Sequence, residues 1–129
     1  MTMERAAEVF AVINLAVVGA SHIMQPRGWV EFFIFLRERG HAGVFFNGML
    51  SLMFGSILVA FHNVWTGLPM VLTLIGWAQV IKALVSFVMP QWGMRGLQRV
   101  SYDRAHEFVV GGVVFLALSA LMLYIVVTR

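Results

Sequence analysis

Four long apolar stretches, residues 6–24, 42–61, 68–89 and 108–127, take up most of the 129-residue chain. Each is about as long as the 20 or so residues a helix needs to cross a bilayer. Inside hydrocarbon every backbone N–H and C=O must be paired within its own segment, and these stretches are far longer than the strands of a membrane barrel. The predicted fold is therefore all-α: an integral membrane protein forming a four-transmembrane-helix bundle, one membrane domain over residues 1–129. Only 12% of the residues are charged, about half the share that gives a soluble domain its polar shell. That composition excludes an ordinary water-soluble domain, a disordered segment and, despite a net charge of +3, a nucleic-acid binder. Because there is no Cys, disulfides, thiolate metal sites and cysteine nucleophiles are excluded too.

The arginines predict an orientation. Arg27, Arg37 and Arg39 lie in the link between the first two spans, and Arg95, Arg99 and Arg104 in the link between the last two. The opposite side has only Arg5, Arg129 and an uncharged turn, 62–67. Positive loops stay inside, so both long links are expected in the cytoplasm and both termini outside it. The first span lacks a basic leader and a small-residue cleavage site, and it reads as a retained span rather than a signal peptide. Each link begins with Pro and Trp: Pro26 and Trp29, then Pro90 and Trp92. Apolar residues follow at helical spacing, with charges on the other face. The expectation is two amphipathic cytoplasmic helices in the headgroup layer, with Trp29, Trp92, Arg95 and Arg99 as interface anchors.

The halves share an order of features, which pairs Pro26 with Pro90, Trp29 with Trp92, Arg39 with Arg104, His41 with His106 and Gly48 with Gly112. Two similar helical hairpins, repeats 6–62 and 68–127, are expected, related by an axis along the membrane normal. With its Pro and Trp after the first span, each half resembles short two-span bacterial inner-membrane proteins of unknown function. The resemblance implies a bacterial inner-membrane location and brings no activity with it.

Polar residues within the spans are costly in lipid, so they point to candidate sites. Gln79, Lys82 and Ser86 fall on one face of the third span, Asn14 lies mid-span in the first, and Asn47 shares a face with Ser51 in the second. Together they predict a ligand or solute seam. Lys82 lies about 12 Å from the cytoplasmic end at helical rise and can snorkel roughly half that distance. A closed polar cavity around it would favour transport, and contact with the lipid boundary an accessory role. A second candidate is a proton or metal cluster of His22, His41, His106, Asp103 and Glu107, all expected at the cytoplasmic ends of spans, with the last three sharing a helical face. Small residues at heptad spacing, Gly48 and Gly55 in the second span and Gly112 and Ser119 in the fourth, predict close helix packing.

No hydrolase or metalloprotease signature is present, so no enzyme is predicted and no cofactor is implied. The favoured expectation is a homo-oligomeric transporter or channel-like subunit for a small solute or ion. The alternative is a non-catalytic accessory or lipid-binding subunit of a membrane complex. Its partners would be membrane lipid and a second copy or another membrane subunit, not nucleic acid.

Overall fold

The computed structural model describes residues 1–128. Over that range the chain forms six α-helices and a 3-10 turn at Tyr102–Arg104, with no strand. Four helices are long and apolar enough to cross a membrane: α1 (Met3–Met24), α3 (His41–Phe61), α4 (Met70–Val88) and α6 (His106–Thr128). The chain is accordingly an all-helical, multi-pass membrane protein. The links contain α2 (Pro26–Glu38) and α5 (Pro90–Gln98).

Proline sets both link boundaries. Pro26 and Pro90 each open a helix, where the absent N–H costs no intrahelical bond and the ring presets φ. The residues before them, Gln25 and Met89, leave the helical region, with φ −130°, ψ 53° and φ −128°, ψ 71°, as the steric clash with the proline ring favours. Between α2 and α3 the chain reverses at Gly40, whose φ of 62° suits a residue without Cβ.

The helices pack as two close pairs, α1 with α6 and α3 with α4. In the first pair, a Cβ on Gly112 would sit 2.6 Å from the Gly19 carbonyl oxygen and 2.9 Å from the Cβ of His22. In the second, a Cβ on Gly48 would meet the Cβ of Ser86 at 2.8 Å, and one on Gly55 the Gly76 carbonyl at 2.9 Å. Ser119 donates to the Val12 carbonyl at 2.9 Å. The small residues are thus where backbones meet. Consecutive spans joined by the links, α1 with α3 and α4 with α6, touch only sparsely, so the expected hairpins are not the packing units. The reason is geometric: the 13 residues of α2 make about 20 Å of helix, which carries the chain across the bundle end instead of back along α1.

The two pairs join through one apolar core that includes Leu15, Leu58, Leu72 and Met122, with Phe10 stacked on Phe54 at 5.6 Å. It lies toward the end bearing the short turn 62–69. At the other end α2 packs against α5, and Arg37 donates to the Val100 carbonyl at 3.1 Å. Both links therefore cover a single end of the bundle, the connector end. Leu36 in α2, Val44 in α3 and Leu97 in α5 form a small second core there.

Candidate functional site

The turn end contains a fully buried polar cluster. Glu8 on α1, His62 just after α3 and Thr73 on α4 are each 0% exposed. Glu8 Oε2 lies 2.9 Å from His62 Nε2, and His62 Nδ1 lies 3.1 Å from Thr73 Oγ1. Thr73 fixes where the protons are. Its hydroxyl donates to the Val64 carbonyl at 2.7 Å and accepts from the Val64 N–H at 3.0 Å. With its only proton given to a carbonyl, Thr73 Oγ1 can only accept from His62, which assigns a proton to Nδ1. Nε2 and Glu8 then share a second proton across their contact. An acid, an imidazole and a hydroxyl in a row suggest a nucleophile triad, but a nucleophile must donate to its base and be accessible. Here the hydroxyl points away and is sealed in, so the cluster ties three helices together and closes the turn.

Sequence reasoning missed this cluster. Glu8 reads as part of a polar helix start beside Glu4 and Arg5, and His62 as a loop residue. A comparison of depth, with both at the turn end, was the available signal.

At the connector end the helix pairs separate and leave an open cleft of about 430 Å³. Asn47 from α3, Lys82 and Ser86 from α4, Trp92 and Gly96 from α5, and Phe108 from α6 are among its walls. Lys82 is exposed and is the only lysine in the chain. Ser86 is buried and donates to the Lys82 carbonyl at 3.0 Å. Of the expected seam, the structure brings together Asn47, Lys82 and Ser86. Asn14 is elsewhere, donating to the Phe10 carbonyl of its own helix at 2.9 Å. Gln79 packs at the α3–α4 contact, with its Cβ 2.8 Å from where a Gly55 side chain would begin.

The expected histidine cluster is not assembled. Among the described residues no three His, Asp or Glu side chains are placed to hold a metal. His22 donates through Nδ1 to the Val18 carbonyl at 2.8 Å. Its ring is stacked on Trp29 at 4.3 Å, with Phe115 at 5.4 Å. His41 and His106 begin different helices and are exposed. Asp103 belongs to the 3-10 turn, which breaks the helical register that would have aligned it with His106 and Glu107.

The anchors divide as well. Trp29 is half-buried, donates to Ser21 Oγ at 2.8 Å and takes part in the aromatic packing around His22. Trp92 is 54% exposed, with the Arg95 guanidinium 5.2 Å from its ring centre. Arg99 is exposed beside it in sequence terms, at the end of α5.

The fold and the cleft define a class: a small four-span membrane protein, sealed at one end and hollowed at the other. Set against known protein families, curated proteins and solved structures, the chain matches none.

Proposed function

We propose that this is a non-catalytic membrane protein that binds a small anionic amphiphile at its connector end, as an accessory or lipid-binding subunit. The observation that carries this reading is the chain's one lysine, placed with Asn47 in an open cleft walled mostly by apolar groups. An ammonium at membrane depth needs a counter-charge, and an open apolar cleft suits a ligand with a hydrocarbon tail. Six of the eight arginines lie on the links, which favours the connector end facing the cytoplasm. Transport gains less support. A path onward would have to pass between the helix pairs through Leu15, Leu58, Leu72 and Met122, where the core is filled.

The test is lipid extraction and mass spectrometry of the purified protein. An acidic amphiphile should co-purify with the wild type and be lost from Lys82→Met, with both proteins equally helical. Small-anion flux in wild-type proteoliposomes that disappears in Lys82→Met would establish transport and end this reading.

The halves are copies related by a two-fold axis along the membrane normal. Support comes from equivalent contacts at positions 64 apart, such as 26 and 90 or 48 and 112. Gly48 meets Ser86 as Gly112 meets His22. Gly55 approaches the Gly76 carbonyl where Ser119 binds the Val12 carbonyl. In such an arrangement the second span of each copy packs on the first span of the other, which accounts for the pairs α3–α4 and α1–α6. Cross-linking through Cys pairs at 48/86 and at 22/112 should succeed within one chain; failure of either in a variant as helical and as thermally stable as the other would refute the equivalence.

A further inference from the structure

The Lys82 cleft does not stand alone. A second hollow, of about 310 Å³, shares Gly96, Val100 and Phe108 with it and is flanked by Arg99, Arg104 and Glu107. Gly96 lies at the junction, and a Cβ there would meet nothing within 4 Å. The two hollows adjoin at this exposed residue, which adds no side chain to either. In the 64-residue register of the packing contacts, which is shifted by one residue from the Trp29–Trp92 pairing, positions 29 and 32 are Trp and Phe where 93 and 96 are Gly. Trp29 and Phe32 fill that space themselves, in edge contact at 5.7 Å with Trp29 on His22. The space in the second half is left to something else.

Its chemistry is legible from the walls. Three cations and one carboxylate, Lys82, Arg99, Arg104 and Glu107, give the joined hollows a net charge of +2. Arginine forks suit phosphate oxygens, and an ammonium adds a point charge from within the membrane. Phe33, Trp92 and Phe108 supply apolar wall beneath. We propose that the occupant is a lipid with a phosphomonoester headgroup, of the phosphatidic-acid type. Its phosphate is drawn to the adjoining hollows by Lys82 in one and by Arg99 and Arg104 in the other. Near neutral pH such a group carries between one and two negative charges, whereas a phosphodiester lipid carries one and phosphatidylcholine none overall. The joined site therefore discriminates by charge. This rests on the proposed anionic-amphiphile reading and narrows it to one headgroup.

The experiment uses the full chain in phosphatidylcholine nanodiscs doped with phosphatidic acid or phosphatidylglycerol, read by native mass spectrometry. Phosphatidic acid should bind about tenfold or more tightly than phosphatidylglycerol. Lys82→Met and the double variant Arg99→Gln/Arg104→Gln should each abolish that preference, and Glu107→Gln should strengthen binding. Gly96→Leu should block binding with all charges in place. It should stay folded, because leucine is the better helix former and the site is open. Equal binding of the two anionic lipids, with Lys82→Met weakening both, would overturn the headgroup assignment and leave the anionic-amphiphile reading standing. No difference between either lipid and phosphatidylcholine would end both. Displacement by millimolar inorganic phosphate, with no dependence on acyl chains, would identify a free-anion site and overturn the lipid assignment.

Discussion

Replacing Glu8 by Ala removes one member of a cluster in which all three side chains are fully buried. His62 Nε2 loses its partner at 2.9 Å while Nδ1 still reaches Thr73 at 3.1 Å, so a half-satisfied imidazole is left in a dry site. Deleting one partner of a buried charge pair typically costs about 3–5 kcal/mol. At roughly 2–8 °C per kcal/mol for domains of comparable size, the apparent Tm should fall by about 10 °C or more. The proton assignment sharpens the test. Because Thr73 places a proton on Nδ1, a neutral His62 presents Nε2 as an acceptor, and the amide of Glu8→Gln can donate to it. That variant should cost only about 1 kcal/mol. The double variant Glu8→Leu/His62→Phe removes both polar groups, while Thr73 keeps its two bonds to the Val64 backbone. It should recover most of the loss, since apolar replacement of a buried pair is often neutral. Thermal unfolding in one detergent, arranged as a double-mutant cycle, should give a coupling above about 2 kcal/mol. If Glu8→Ala lies within about 0.5 kcal/mol of wild type, the cluster is not a tie between helices. If Glu8→Gln is as damaging as Glu8→Ala, the proton placement is wrong.

Neighbouring glycines on α6 should behave in opposite ways: Gly112→Ala drives a Cβ toward the Gly19 backbone and should cost about 1–3 kcal/mol. Gly111→Ala meets nothing within 4 Å and should be neutral or stabilise by up to about 1 kcal/mol, both measured by thermal unfolding. Trp29→Phe loses the bond to Ser21 and should cost about 1 kcal/mol without changing lipid binding, because its ring belongs to the filled half. Single Cys variants at positions 27 and 95, in a chain with no native Cys, should label only from the cytoplasmic side and one at position 66 only from the other; labelling of 27 and 95 from opposite sides would refute the topology.

The four spans were legible because length and apolarity alone define a crossing helix, and the observed boundaries differ from the expected ones by a few residues. The link helices were legible from Pro26 and Pro90 and from the apolar spacing behind them. The partners of each span were not. The spans are apolar around most of their circumference, so hydrophobic periodicity carried little direction, and only small residues such as Gly48, Gly112 and Ser119 marked the contact faces. Lys82, Asn47 and Ser86 were found because a polar group in a membrane span stands out against its background. Asn14 and Gln79 stood out equally, but one satisfies its own helix and the other fills an interhelical contact. Glu8 and His62 are 54 positions apart, and near the ends of their spans polar residues are unremarkable, so nothing local announced their meeting.

The uneven joining of the helix pairs has a mechanical consequence. Glu8, His62 and Thr73 act as the hinge of a clothes-peg, whose jaws are the helix walls of the open cleft at the far end. Amide exchange should be slowest around residues 7–11, 58 and 72 and fastest in α5, and filling the jaws should slow α5 selectively. On the ligand-binding reading proposed above, filling the cleft is expected to act on the bundle as a small rotation about its turn end, felt at the opposite membrane face as torsion on the turn at 62–69.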